Sequence, residues 1–297
     1  MTDVILFLLF MVTGTFALGL TDVFNRKYLK EGVDDVLLLG ITWLLGALVL
    51  LPIILVLGVP PLQGGFWSAM AATVALNLVS QRIWMRAFQV SEASLVAPLR
   101  LLTPPLVILT GFFILGERTT FAGALGILTT IVGLFVLLPS GGGFSLRRMA
   151  RAFFNEKGML LGILGAILFA FSFPFDKKAV LTSSALFASL CAFGAVGAGT
   201  LLIEAFRRKD FAAEIGVLYR RWRGPILLIS VFNILGGFLA NQALNYSLAA
   251  YAASAKRLWS LWTVILAGHF LQEKDFLRRV MATLVMLGGI AITVIYG

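Results

Sequence analysis

Apolar residues occur along this chain in long runs that are separated by short polar segments. Ten of these runs are long enough to cross a bilayer as helices. They cover residues 3–23, 35–58, 66–89, 93–115, 120–139, 158–175, 183–206, 224–246, 250–271 and 278–296. Most contain about 20 residues, the length that a hydrocarbon layer of ~30 Å requires. The pattern predicts an all-α integral membrane protein with ten transmembrane helices.

The composition agrees with this prediction and excludes several other classes of protein. Hydrophobic residues make up 60% of the 297 positions and charged residues 13%, whereas soluble domains contain roughly 45–50% and 25%. One globular core cannot bury such an excess. Cys191 is the single cysteine, which excludes an intrachain disulfide and a paired-cysteine metal site. His269 is the single histidine, and we expect neither a metal nor a cofactor.

The net charge of +10 does not indicate nucleic-acid binding, because the basic residues lie mostly in the segments between apolar runs. If the N-terminus is outside, 18 of the 24 Lys and Arg residues face the cytoplasm, and only Arg118, Lys177 and Lys178 face the opposite side. This asymmetry follows the positive-inside rule. It predicts a bacterial inner-membrane protein with both termini outside. Membrane lipids are then the expected surroundings, and nucleic acid is not a partner.

The two halves of the chain resemble each other at a separation of 156 positions. Ala87 then corresponds to Ala243, Asn77 to Asn233 and Arg100 to Lys256. We therefore predict an N-terminal repeat over 1–145, a cytoplasmic linker over 146–157 and a C-terminal repeat over 158–297. Because each repeat has five spans, an odd number, the second is expected to be inverted relative to the first. Inverted repeats are typical of secondary transporters that bind substrate near the membrane midplane.

Three basic residues lie inside apolar runs, namely Arg100, Lys256 and Arg257. A charge at mid-bilayer depth costs at least about 2.5–3.5 kcal/mol, and such residues usually face a cavity and have a function. The acids Asp22, Glu92 and Glu204 lie near span ends, so no central carboxylate is expected to compensate the three cations. The sequence thus predicts a central site for an anion. Adjacent residues of a helix point about 100° apart, so Lys256 and Arg257 need not both face this site.

Other polar and aromatic residues inside the spans are candidates for the same site. Asn77 and Asn233 are repeat equivalents, and Asn241 follows in the eighth span. Such amides either line a cavity or form hydrogen bonds between helices. Trp259 lies next to the basic pair and either walls the cavity or packs against a neighbouring helix.

Particular motifs carry a family resemblance across essentially the whole chain. The fourth span is entered by the stretch AFQVSEASLVAPL from Ala87, it ends at LGERT over 115–119, and a weaker copy, LQEK, covers 271–274. These features resemble the EamA-type proteins of the drug/metabolite transporter superfamily. The helix-4 basic residue Arg100 and the pair Lys256–Arg257 are also similar to the phosphate-binding residues of the triose-phosphate/phosphate translocator branch. The resemblance implies a transporter, and this weaker one implies a phosphate-bearing substrate.

We therefore expect a secondary transporter, rather than an enzyme, that moves a small anionic metabolite with a phosphate or carboxylate group by alternating access. Exchange of one anion for another, or downhill export, is expected to drive transport. In an exchanger, an empty cavity with unpaired cations would resist a change of state. An exporter of amino acids or related metabolites is the alternative. A membrane enzyme or a lipid-handling protein is the distant alternative, since the chain lacks clustered carboxylates or histidines in its spans.

Overall fold

The computed structural model describes residues 2–103, 106–107, 110, 125, 129, 132–133, 156–246, 255–272 and 276–296, and every regular element within these ranges is helical. The helices before residue 104 are α1 (Thr2–Lys30), α2 (Asp35–Leu57), α3 (Phe66–Val90) and α4 (Ala93–Val96), which continues as the 3-10 helix η1 (Ala97–Leu102). Those after residue 155 are α5 (Lys157–Leu181), α6 (Ala185–Arg207), α7 (Phe211–Gln242), the 3-10 helix η2 (Ala243–Tyr246), α8 (Leu258–Phe270) and α9 (Phe276–Tyr296).

Five helices of the described part are long and apolar enough to cross a membrane, namely α1, α2, α5, α6 and α7. Shorter apolar helices cover Ala93–Leu102 and Leu258–Phe270. The chain is therefore an all-helical integral membrane protein in the ranges that are described. Most of the predicted fifth span, 120–139, lies outside those ranges, as do Pro104 and Pro105 and most of the predicted linker over 146–157.

Several helices continue beyond the apolar runs that predicted them. The apolar run of α1 ends at residue 23, but the helix reaches Lys30, and α7 begins at Phe211 rather than at 224. The additional turns are rich in basic residues, which reach the membrane interface or satisfy helix ends. Arg26 illustrates this, because its guanidinium donates to the main-chain oxygens of Phe88 (2.5 Å) and Gln89 (2.8 Å) in the last turn of α3.

The two segments that carry the central basic residues are not continuous α-helices, in contrast to the prediction. After Val96 the chain changes to the 3-10 helix η1, which contains Arg100. Pro98 lies in its first turn and lacks the N–H that an α-helix would use. Lys256 and Arg257 form a turn immediately before α8. Irregular backbone at membrane depth is tolerated where it is buried in protein or lines a cavity.

The long helices pack in pairs across the two halves of the chain. α3 packs mainly on α5, α2 on α6, and α1 on α7 and α8. Glycine permits the closest approach, since a Cβ on Gly236 of α7 would lie 2.7 Å from the main-chain oxygen of Gly14 of α1. A Cβ on Gly197 of α6 would lie 2.5 Å from the main-chain nitrogen of Leu44 of α2. Small residues at such crossings are typical of membrane helix pairs.

A cluster of ion pairs joins the ends of α3 and α6 to the starts of α2 and α7. This side of the molecule is rich in Lys and Arg and is called the basic side below. Arg208, just after α6, donates at 2.8 Å to Glu204 of α6, Asp34 before α2 and Glu214 of α7. Arg82 of α3 also pairs with Glu204. Hydrogen bonds to Asp34 and Glu214 raise the pKa of the Arg208 guanidinium above its usual range. The cluster ties α2 and α3 to α6 and α7.

Candidate functional site

A central cavity lies between the long helices, with lining residues from α1, α2, α3, η1, α5, α6, α7 and the start of α8. It contains about 1040 Å³ of empty space, part of which is open to the outside. Six of the seven predicted site residues line it. Arg257 is buried and is not among the lining residues that the structure describes. The six are Asn77, Arg100, Asn233, Asn241, Lys256 and Trp259.

Arg100 forms an ion pair with Asp22 of α1, and both residues line the cavity. The guanidinium uses two nitrogens, one of them 3.2 Å from Oδ1 of Asp22. Thr263 of α8 donates its hydroxyl to Oδ2 of the same carboxylate at 2.9 Å. The exposed fractions of Arg100 and Asp22 are 3% and 2%, so little of the pair remains open to a ligand. A fork-like pair of this kind is among the stronger hydrogen-bonding arrangements.

Aromatic rings surround the remaining faces of the Arg100 guanidinium. Its central carbon lies 3.8 Å from the ring centroid of Trp259, 4.4 Å from that of Trp84 and 5.1 Å from that of Phe88. A desolvated guanidinium gains about 2 kcal/mol from one such ring. The positive charge of Arg100 is thus compensated by Asp22 and by the rings, before any substrate binds.

The second basic residue of the cavity, Lys256, has an acidic neighbour in Asp176 of α5. Both side chains are half-buried and line the cavity. Oδ1 of Asp176 accepts hydrogen bonds from the hydroxyls of Thr73 (2.8 Å) and Ser172 (3.1 Å). The opposite charges of Asp176 and Lys256 attract each other, but among the described residues they do not reach ion-pair distance.

The expectation that the spans contain no central carboxylate is therefore wrong. Asp22 and Asp176 lie inside α1 and α5, because these helices continue past the apolar runs that predicted them. A hydropathy pattern ends a span at the first polar turns, although a membrane helix can extend into the interface or toward a cavity. The repeat could have drawn attention to Asp176. Asp176-Lys177-Lys178 corresponds to Asn25-Arg26-Lys27, which lies inside α1, so Asp176 is expected to lie inside the equivalent helix.

The repeat-equivalent amides Asn77 and Asn233 both line the cavity but differ in their hydrogen bonds. Nδ2 of Asn77 donates at 2.9 Å to the main-chain oxygen of Thr73 and to the hydroxyl of Ser172. Nδ2 of Asn233 is buried and has no hydrogen-bond partner among the described residues. Such unpaired donors are uncommon in native proteins. Asn233 is therefore the amide with a donor left for a ligand.

Asn241 and the aromatic residues complete the outer wall of the cavity. Nδ2 of Asn241 donates to the hydroxyl of Ser189 at 2.8 Å, which joins α7 to α6. Trp43 of α2 and Phe193 of α6 also line the cavity, and their ring centroids are 5.0 Å apart at 63°. The wall thus combines apolar surface with a few polar groups, as small-molecule sites commonly do.

The charged residues of the described lining are two acids, Asp22 and Asp176, and two bases, Arg100 and Lys256. When all four are ionised, their net charge is zero. His, Cys, Asp and Glu do not gather in groups of three or more within the described ranges, so the residues there offer no cluster for a metal ion. The chemistry available in the cavity is therefore binding through hydrogen bonds, paired charges and aromatic faces.

Comparison with known proteins agrees with this architecture. One solved structure, described only as a crystal structure of a protein, aligns with a TM-score of 0.66 at 16% sequence identity. The alignment covers 97% of this chain and 99% of that one, and it supports the fold alone. The search of curated proteins gives no match. The model of the EamA-like transporter family matches residues 5–138 and again residues 156–295. The chain therefore belongs to the EamA-like transporter family of the drug/metabolite transporter superfamily.

Proposed function

We propose that this transporter is a secondary carrier that moves a small metabolite through the central cavity by alternating access. The cavity is the single observation that carries the proposal. It lies between helices of both halves of the chain and has the mixed polar and aromatic wall of a small-molecule site.

Alternating access requires two halves that can change their relative position around the site, and the helix packing supports such a division. If α1 to α3 are equivalent to α5 to α7, the pairing of α1 with α7 is equivalent to that of α5 with α3. α2 and α6 are then each other's partners. This exchange is the pattern expected from two repeats related by a two-fold axis. We propose ten spans in two inverted repeats, over 1–145 and 158–297, on this basis.

The basic end of the molecule supports an orientation in a bacterial inner membrane with both termini outside. Lys27 and Lys30 at the end of α1, Arg86 near the end of α3 and Arg208 after α6 lie at helix ends of the same side in the proposed topology. Positive residues are concentrated in cytoplasmic segments of membrane proteins. That side is therefore the cytoplasmic side of the proposal.

For the substrate, the charge balance of the cavity favours a molecule that carries both a positive and a negative group. The expectation of an anion depended on uncompensated cations, but Arg100 pairs with Asp22, and Lys256 has Asp176 as a neighbour. A zwitterion leaves such a cavity neutral, whereas a multiply charged anion adds charge that nothing in the described lining balances. We propose an amino acid or a related metabolite as the first candidate.

A singly charged anionic metabolite is the second candidate, and one observation favours it. The Lys256 ammonium lines the cavity without a hydrogen bond or ion pair to another described residue, and it offers a point charge for a carboxylate or phosphate. The argument for obligatory exchange, in contrast, rested on three unpaired cations and no longer holds. Exchange and coupled transport both remain compatible with the proposal.

The experiment is counterflow into proteoliposomes with a panel of amino acids, organic acids and organophosphates. The proposal predicts that at least one amino acid is taken up faster than by protein-free liposomes. It also predicts that Lys256→Gln lowers this uptake at least tenfold, whereas the matched variant Lys178→Gln, at an exposed position of α5, leaves it unchanged. Uptake of organophosphates alone would favour the second candidate. No uptake of any compound, or equal uptake by the two variants, would contradict the proposal.

A further inference from the structure

The cavity contains two acids that each have a basic neighbour, Asp22 beside Arg100 and Asp176 beside Lys256. The two pairs differ in how far hydrogen bonds and direct ion pairing neutralise their charges. Asp22 and Arg100 form a closed pair with two hydrogen bonds between them. Asp176 and Lys256 attract each other without forming an ion pair in the described structure. The two bases are repeat equivalents, and each acid lies on the first helix of its half, although Asp176 corresponds in the repeat to Asn25 and not to Asp22. The contrast suggests different tasks.

Asp22 is unsuited to gaining or releasing a proton. Its Oδ1 and Oδ2 accept two hydrogen bonds from Arg100 and one from Thr263. Protonation of the carboxylate would remove the charge that the buried guanidinium requires, and an unpaired buried charge costs several kcal/mol. The pair, held by the rings of Trp259 and Trp84, is therefore a permanent part of the cavity wall.

Asp176 is in the opposite situation. Its hydrogen-bond donors are two neutral hydroxyls, those of Thr73 and Ser172, and both reach the same oxygen, Oδ1. Oδ2 accepts no hydrogen bond from a described residue, although the residue is half-buried and lines the cavity. The carboxyl can therefore be reached from the cavity in either protonation state. An intramembrane acid of this kind marks a functional site by default.

Few charged groups act on this carboxyl from the elements around it. Among the described residues, Lys256 in the turn before α8 is the charged group that acts on Asp176 directly, whereas Arg100 of η1 and Arg257 act on Lys256. From the packed helix α3 the contact is the neutral hydroxyl of Thr73. The charge of Asp176 is thus balanced by a single cation at a distance, and a bound ligand can change that balance.

We propose that Asp176 is the proton-binding carboxyl of the transport cycle, and that a proton and the positive group of the substrate compete for it. The proposal rests on the cavity being the transport site. When a substrate ammonium approaches Oδ2, the carboxyl is ionised and its proton leaves to the open side. When a proton binds, the neutral carboxyl no longer attracts the ammonium, and the substrate leaves. One binding site that holds either ligand, but not both, makes the carrier a proton-coupled antiporter.

The test is an infrared titration of the full chain in lipid nanodiscs, which needs no substrate. The C=O stretching bands of protonated carboxyls are followed as a function of pH in wild type, Asp176→Asn and the matched variant Asp210→Asn, whose carboxyl is exposed at the start of α7. The proposal predicts that the difference spectrum of wild type minus Asp176→Asn contains a titrating band, and that Asp210→Asn retains this band. A difference spectrum without a titrating band, or loss of that band in Asp210→Asn, would overturn it.

A second variant keeps the test decisive if Asp176→Asn does not fold. Thr73→Val removes one of the hydroxyl donors to the ionised carboxylate, so the midpoint of the band should move to higher pH. An unchanged midpoint would contradict the assignment. Because the titration is read without transport, a failure of the counterflow panel leaves the assignment standing. If a transported amino acid is found, its addition should release protons from wild type but not from Asp176→Asn.

Discussion

The buried pair of Asp22 and Arg100 should contribute strongly to stability, and a double-mutant cycle measures how much. The perturbations are Asp22→Asn, Arg100→Met and their combination. Each single change removes one charge and leaves the other buried, since the exposed fractions are 2% and 3%. Removing one partner of a buried pair typically costs about 3–5 kcal/mol of the free energy of unfolding.

The structure also predicts which single variant loses more of the free energy of unfolding. Arg100→Met removes two of the three hydrogen bonds that Asp22 accepts and the contacts with Trp259 and Trp84. Each of these ring contacts contributes as much as about 2 kcal/mol. Asp22→Asn keeps an acceptor for Thr263 and should cost less. The double variant leaves no uncompensated charge, so its loss should be smaller than the sum of the single losses, by as much as about 3 kcal/mol.

The assay is unfolding of the purified protein in mixed micelles with increasing SDS, followed by circular dichroism. Thr263→Val is the control, because it removes one donor from Asp22 but leaves both charges in place, and it should cost only about 1.5–2 kcal/mol. Strictly additive losses in the cycle would refute the reasoning. They would mean that Arg100 and Asp22 do not depend on each other, and that Arg100 is available for a substrate anion as the sequence suggested.

Two further predictions use matched pairs of variants in the same unfolding assay. Gly236→Ala should destabilise by about 1–3 kcal/mol through overpacking, since its Cβ would meet Leu18 and the backbone of α1. Gly216→Ala, in the same helix but without neighbours within 4 Å, should instead stabilise by about 0.5–1 kcal/mol. Arg208→Gln breaks the charged hydrogen bonds on the basic side and should cost about 2 kcal/mol. Arg207→Gln, whose side chain is 67% exposed with a 3.9 Å contact to Glu204, should remain within about 0.5 kcal/mol of wild type. Equal effects within either pair would show that the named contacts are not responsible.

Much of the fold was accessible from hydropathy and periodicity, because lipid exposure imposes long apolar helices. The starts of α2 at Asp35 and α3 at Phe66 are each within a residue of the predicted runs. The helix ends were less predictable where basic turns extend a helix, as at Lys30 of α1. The change to the 3-10 helix η1 was missed, although Pro98 was a visible signal for it.

The site illustrates a different limit of prediction from sequence. Charged residues in apolar runs and the repeat drew attention to Arg100 and Lys256, which do line one cavity. What the sequence could not provide was the neighbour of each charge, because Asp22 and Asp176 are 78 and 80 positions distant from Arg100 and Lys256. Only the tertiary packing, in which α8 lies against α1 and η1 lies against α5 and α8, brings these charges together. The predicted anion site thereby becomes a cavity with balanced charges.

The central claim is that the cavity itself is the path of the substrate, and blocking it is the most direct test. Ala192 of α6 lines the cavity, whereas Ala195, one turn later on the same helix, is exposed on the outer surface. Counterflow of the amino acid identified by the panel should be abolished in Ala192→Trp and retained in Ala195→Trp, with both proteins folded. Wild-type counterflow in Ala192→Trp would contradict the account.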